Sequence, residues 1–313
     1  MKGYGPIDAM EYPRFSGIRT FMRLPHVIGL QDVDFAIIGV PFDTGGTFRV
    51  GARFGPEAIR SASVLLRPHN PALNVSIFEK LSGIDYGDLS VVPGYLPETH
   101  DKIIRQLRPV LNAGVVPICI GGDHSITLAE LRAIASHYGP VGLIHFDSHG
   151  DVWHGYFGGK DTHGTPFRRA IEEGLIDLNR SSQIGLRGPV YDAGDIRLSQ
   201  ELGFQVFTTD KIRQVGLNAI IGAVKQRAGS GPCFLTFDID FVDPAFAPAT
   251  GTPEVGGFTS WECQQLIRGL RGVNFIGFDL VEVCPPYDNP GATTALLAAN
   301  LIYEFISLLA LAA

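Results

Sequence analysis

Short apolar runs separated by amphipathic stretches recur along the whole chain. Val33 to Val40, Val115 to Ile120, Val141 to Phe146, Gln183 to Leu186, Phe204 to Phe207, Cys233 to Phe237 and Phe275 to Val281 are rich in apolar residues and lack clean apolar–polar alternation. Strands buried on both faces have that signature. Between them, residues 56–65, 99–112, 125–137, 165–173, 217–227 and 260–270 read as helices. Strands alternating with helices predict an α/β fold, a parallel sheet covered by helices. No internal repeat or low-complexity linker divides the chain, so residues 1–313 are expected to form a single domain. The stretch from Ala292 to Ala313 is apolar enough to suggest a membrane span, but Asn300 and Glu304 interrupt it and no basic flank follows. It is expected to be a buried terminal helix.

Bulk composition narrows the function classes. The chain is 45% hydrophobic and 18% charged, with a net charge of -7, which argues against nucleic acid as a partner. Cys119, Cys233, Cys263 and Cys284 are widely spaced and form no CxxC pair, so buried free thiols in a reducing compartment are expected. The N-terminal MKGYGPIDAMEYPRF lacks a signal-peptide core. A cytoplasmic location without membrane contact is the resulting expectation.

Chemistry concentrates where the apolar runs end. Gly121-Gly122-Asp123-His124-Ser125 follows one, Asp147-Ser148-His149-Gly150-Asp151 another and Asp238-Ile239-Asp240 a third, while Glu282 ends a fourth. Ligands bind beyond the carboxyl ends of strands in open parallel sheets, so these ends should share one rim. Residues two apart on extended chain point the same way, which puts Asp147, His149 and Asp151 on one side. Four buried aspartates (Asp147, Asp151, Asp238 and Asp240) would repel one another unless cations held them. With His124 and His149 they make a hard oxygen-and-nitrogen donor set, better suited to Mn²⁺ than to structural Zn²⁺ and larger than one ion needs. A two-metal hydrolytic centre is the reading that absorbs them all.

Individually these residues have plainer readings. Asp238-x-Asp240 also fits an acidic turn, His124 a satisfied buried histidine, and Asp123 either a partner of that histidine or a turn residue. Asp243, before Pro244, looks like turn chemistry. Ser125 is a plausible helix cap. His145 has the parity of Asp147 and could support it from behind, His154 is a weaker candidate, and Glu282 could bind a cation or cap a turn. His163, in the glycine-bordered loop Thr162-His163-Gly164-Thr165-Pro166, suits proton shuttling or simple exposure.

In combination the motifs identify a family. GGDHS, DSHGD and TFDIDFVDPAFAPATGTPEVGG closely resemble the signatures of ureohydrolases, the arginase and agmatinase superfamily. PRFSGIRTFMRLP, GVPFDTGGTFRVGARFGPEAIR, HGTPFRRAIEEGLID and DLVEVCPPYD resemble its agmatinase and guanidinobutyrase branch, and the resemblance runs from about Pro13 to Glu304. It implies a three-layer αβα fold with a central, mostly parallel sheet, two Mn²⁺ per subunit (Ni²⁺ in some relatives) and hydrolysis of a guanidino compound to urea and an amine by a metal-bridging hydroxide. Carried over by position, His124, Asp147, Asp151 and Asp238 would hold one ion. His149, Asp147, Asp238 and Asp240 would hold the other. Asp151 would take the hydroxide proton, His163 would shuttle protons and Glu282 would pair with the guanidinium. A homo-oligomer, trimeric or hexameric, is implied as well.

Departures from the family pattern are Ser148, Gly150, Ala249 and the loop Trp153-His154-Gly155-Tyr156, which lines the substrate tail in relatives. Trp153 and Tyr156 are therefore the candidate tail contacts. Agmatine, 4-guanidinobutyrate and 3-guanidinopropionate are the candidate substrates. The rivals are a nickel-dependent guanidine hydrolase, a proclavaminate-type amidinohydrolase and, from a different class, a non-catalytic metal-binding subunit.

Overall fold

The computed structural model describes residues 3–313; Met1 and Lys2, part of the expected domain, lie outside the described residues. Its strands are β1 Phe35–Val40, β2 His69–Asn70, β3 Val75–Ser76, β4 Gly83–Asp88, β5 Val116–Gly121, β6 Gly142–Phe146, β7 Ser182–Leu186, β8 Gln205–Thr208, β9 Cys233–Asp238 and β10 Phe275–Val281. Its helices are α1 Gly55–Ser63, α2 Ile77–Lys80, α3 Leu96–Asn112, α4 Ile126–Tyr138, α5 Pro166–Glu172, α6 Asp195–Glu201, α7 Thr209–Val215, α8 Leu217–Ala228, α9 Ser260–Gly269 and α10 Thr293–Ala312.

Eight strands form one sheet in the order β4-β1-β5-β10-β9-β6-β7-β8, and every neighbouring pair is parallel. Successive side chains on β1 alternate between two apolar cores. Phe35 and Ile37 join the core beneath α1, α8, α9 and α10, whereas Ala36, Ile38 and Val40 join the core beneath α3 and α4. This is the three-layer αβα arrangement, with both sheet faces covered as the unalternated strand pattern requires. Each fully buried Phe or Leu contributes roughly 1.5–3 kcal/mol of hydrophobic stabilisation.

Helix α10 is long and apolar enough by composition to cross a membrane, yet most of it is buried in this fold. Its one buried acid is satisfied from two sides. The Asn70 side-chain amide donates to Glu304 Oε2 (3.0 Å) and Arg268 donates to Glu304 Oε1 (2.6 Å), which offsets the cost of taking a carboxylate out of water.

The very short β2, β3 and α2 were not legible in the sequence, nor were β4, α6 and α7. Strand β4 reads Gly-Ile-Asp-Tyr-Gly-Asp, too polar to resemble a buried strand. It is an edge strand, and its Asp85 serves the Arg60 guanidinium (2.8 and 2.9 Å) rather than the core. Helices α6 and α7 are short and bury only one or two residues each, so their apolar periodicity is weak.

Candidate metal centre

The four strands whose ends carry the chemistry, β5, β10, β9 and β6, are contiguous in the sheet. Sequence order scatters them; the sheet sets them side by side. After β5 the chain turns at Gly122, where a Cβ would overlap the Phe42 carbonyl, so only glycine permits this approach. Asp123 then acts as a turn residue and not as a histidine partner. Its Oδ2 accepts from Gly45 N (2.7 Å) and its Oδ1 from Ser125 N (3.0 Å) and the Ser125 hydroxyl. Ser125 consequently makes no side-chain cap on α4.

That turn drives His124 inward. Its ring is fully buried, with Nε2 at 2.8 Å from Thr236 Oγ1. On the other side Nδ1 lies 3.1 Å from Asp147 Oδ2, 3.0 Å from Asp151 Oδ2 and 3.3 Å from Asp238 Oδ2, with no hydrogen-bond partner. Cis donors around an octahedral ion with bonds of about 2.1 Å sit about 3 Å apart. The three distances from His124 Nδ1 to carboxylate oxygens fit donors to a shared divalent cation. A second donor group forms from Asp147, His149 and Asp240. There His149 Nδ1 is 3.0 Å from Asp240 Oδ2, itself without a hydrogen-bond partner, and 3.5 Å from Asp147 Oδ1. Asp147 belongs to both groups, and Asp238 is tied to the second because its Oδ1 accepts the Asp240 N–H (2.8 Å).

Charge follows the same logic. Burial, then the neighbouring Asp240 and Asp147 carboxylates, hold Asp238 well above the usual carboxylate range. Burial also raises Asp240, as does Asp147. Asp147 is the exception: burial alone would raise it, but the histidines around it, His145 foremost, hold it well below. Divalent cations are what this concentration of buried carboxylate is suited to accept.

His145 lies near the first group but is not free to join it. Its Nε2 meets Asp147 Oδ2 (2.7 Å) and its Nδ1 meets the Gln183 amide (3.0 Å), so it braces the shared aspartate from behind. Gln183 also donates to Gly150 O (2.6 Å), fixing the Asp147–Asp151 turn. Asp151 and Glu282 adopt left-handed backbone (φ 51° and 65°), a conformation side chains other than glycine rarely take outside over-determined sites.

Beside the donor groups, Glu282 Oε1 accepts from His124 N (2.9 Å) and contacts His163 Nδ1 (2.9 Å). His163 Nε2 faces Thr47, at 3.1 Å from its N–H and 2.8 Å from its hydroxyl. Burial alone would lower the His163 pKa; the Glu282 carboxylate, helped by Asp151 and Asp123, instead pushes it up to about 9. An open cavity of about 590 Å³ rises from His149, Asp151, His163 and Asp238 to a wall of Trp153, Tyr156 and Tyr191. The two tyrosines hydrogen-bond, and burial first, then Tyr191, raises the Tyr156 pKa. Glu254 lies across the cavity, 4.0 Å from His149 Nε2, and among the described residues no lysine or arginine lines the space. Asp243 holds the backbone N–H groups of Ala245, Gly256 and Gly257, as a turn residue should. His154 lends its carbonyl to Arg169.

Sequence reasoning missed Thr236, Thr47, Gln183, Glu254 and Tyr191. Thr236 and Glu254 lie in the TFDID…PEVGG run and Thr47 in the GVPFDTGGTFRVG run, where the ligand-type residues drew the attention; Thr236 has the strand parity of Asp238, a signal that could have found it.

Known proteins resemble this chain along nearly its full length. Residues 33–307 match the arginase family. Guanidinobutyrase from Pseudomonas aeruginosa is 46% identical over 97% of this chain and 96% of its own. Guanidinopropionase from the same organism is 45% identical, with the same coverage. Among solved structures, proclavaminate amidino hydrolase from Streptomyces clavuligerus superposes with a TM-score of 0.92 at 39% identity, over 96% of this chain and 100% of that one.

Proposed function

The chain belongs to the arginase family, and we propose on that premise that it hydrolyses a guanidino compound to urea and an amine at a binuclear divalent-metal centre. The observation that carries this is the pair of donor groups sharing Asp147 on a cavity floor, next to the His163–Glu282 pair. A non-catalytic metal-binding subunit would have no use for the second feature. Relatives named for 4-guanidinobutyrate, 3-guanidinopropionate and agmatine hydrolysis make these the first substrates to test.

His124, Asp147, Asp151 and Asp238 would hold one ion, and Asp147, His149, Asp238 and Asp240 the other. We favour Mn²⁺ for this carboxylate-rich set, with Ni²⁺ the alternative. Bound together, two such ions lower the pKa of water and stabilise charge developing at the guanidino carbon. The remaining chemistry falls to the chain. Asp151, on the cavity floor, would take the proton released from the attacking water and pass it to the leaving amine. Glu282 Oε1 is engaged by His124 and His163, leaving Oε2 to orient the cationic guanidinium. With Nδ1 on Glu282, the ring would exchange its mobile proton at Nε2, where the Thr47 hydroxyl 2.8 Å away can accept or return it. Trp153 and Tyr156 would pack along the tail, with Tyr156 and Tyr191 offering hydroxyls. The assembly we expect is a homo-oligomer.

A pH profile tests the His163 role. A pKa of about 9 leaves the ring protonated below that pH and neutral above it. If the ring delivers protons to the leaving group, kcat should hold up to about pH 9 and fall beyond it. Glu282→Gln removes the main raising charge and should move that limb to lower pH. A limb that stays in place assigns it to another group.

Function itself is tested by urea release from Mn²⁺-loaded and separately Ni²⁺-loaded protein across arginine, agmatine, 3-guanidinopropionate, 4-guanidinobutyrate and guanidine. Turnover of one member identifies the tail. Silence across the panel with both ions verified as bound would overturn the proposed reaction on these substrates.

A further inference from the structure

A polar row crosses the sheet directly under the proposed centre. In register, Cys119 on β5 lies beside Asp279 on β10, Asp279 beside Thr236 on β9, Thr236 beside His145 on β6, and His145 beside Gln183 on β7. All five are essentially inaccessible to solvent. Neighbours in register share a sheet face, here the face covered by α4. The His145–Gln183 end braces Asp147 and Gly150, as described. The other end has no assigned role, and it carries a pair of buried acids.

Asp279 Oδ2 accepts the Thr127 hydroxyl from α4 (2.6 Å), and Asp279 also hydrogen-bonds Thr236. Glu130, one helical turn further along α4, is completely buried. Both of its oxygens and Asp279 Oδ1 meet no N–H or hydroxyl donor, and the two carboxyls are close enough to hydrogen-bond each other. Two facing carboxylates sealed from water cannot both stay ionised, so one proton must lie between them. Burial raises both carboxyls, and the Asp279 charge raises Glu130 further, well above its ordinary range; Asp279 already accepts from the Thr127 hydroxyl, so we place the proton on Glu130. The hydrogen-bond directions are then fixed. Glu130 donates to Asp279, Thr236 Oγ1 donates to Asp279, and Thr236 Oγ1 accepts from His124 Nε2–H. A histidine whose Nε2 carries the proton has Nδ1 free as a lone-pair donor, and Nδ1 is the atom facing Asp147, Asp151 and Asp238.

We propose that Glu130, Asp279 and Thr236 are positioning residues that hold His124 in its metal-binding tautomer and orientation, acting through a proton shared by the two buried acids. The proposal rests on the reading of His124 as a metal ligand. Hydrogen-bond partners behind a ligating histidine typically account for 10–100-fold in metal affinity.

The test is Mn²⁺ titration of purified metal-free protein, followed by calorimetry and by the electron paramagnetic resonance of bound Mn²⁺. Melting temperature is recorded alongside. Thr236→Val keeps shape and removes the bridge; it should weaken the first Mn²⁺ by ~10–100-fold. Glu130→Leu should weaken it in the same direction, while Glu130→Gln, whose amide N–H still donates to Asp279, should restore near-native affinity. The imidazole Nε2–H of His124 should give a slowly exchanging proton resonance that Thr236→Val abolishes. A purely structural role predicts lower melting temperatures with unchanged affinity in the folded variants, and that result overturns the proposal. Should Glu130→Leu not fold, Thr236→Val and Glu130→Gln still decide. Native protein that binds no metal would instead overturn the reading of the centre itself.

Discussion

Asp147→Asn is expected to lower kcat/KM by at least ~10³-fold, about 4 kcal/mol of transition-state stabilisation, with loss of bound metal. The size follows from position. Asp147 reaches into both donor groups, with Oδ2 toward His124 and Oδ1 near His149. Asparagine keeps the shape, so Oδ1 can still accept the His149 N–H that shapes the loop. What it removes is the charge that two cations would share. Fold and cavity should survive while the metals do not. Metal analysis by plasma emission beside steady-state kinetics checks this, and full metal content with normal turnover would refute Asp147 as the shared ligand.

His163→Ala should behave in the opposite way. The metal ions should stay bound and KM should change little, while kcat drops by about 10²–10⁴-fold, the range for removing a positioned acid–base group. His163 touches Glu282 and Thr47 and contacts no residue of the donor groups directly. Exogenous imidazole should restore part of the rate, since the ring leaves a space open to the cavity. Metal loss in this variant would show that the histidine holds the centre together and does not relay protons. The two variants together separate binding from chemistry.

Much of this was legible in the chain. The unalternated apolar runs at Val141 to Phe146 and Cys233 to Phe237 could only be strands covered on both faces, and the parity within Asp147-x-His149-x-Asp151 anticipated their convergence. His145 was legible as a support for the same reason. What the sequence hides is lateral order. Strand β10 lies between β5 and β9 although it comes last in the chain, and Thr236 gains its place against His124 only from that order. Strand β4 was hidden because its acid serves an arginine and not the core. The wall residue Tyr191 was hidden because an exposed loop carries no periodicity.

The lateral order of the site strands also has a consequence in time. The strands supplying His124 and Asp147 are synthesised well before those supplying Asp238, Asp240 and Glu282, yet β10 inserts between β5 and β9. A chain extended from its N-terminus to the end of β8 therefore has neither of the two central strands. It exposes the apolar flanks of β5 and β6, which are not yet joined. Such topologies fold late and leave unpaired strand edges open to wrong partners until the last insertion. Asp238 and Asp240, half of the four acidic ligands, have no fixed place before β9 docks. The centre is thus a product of late folding, and the sheet stays open at its middle until Phe275–Val281 arrives.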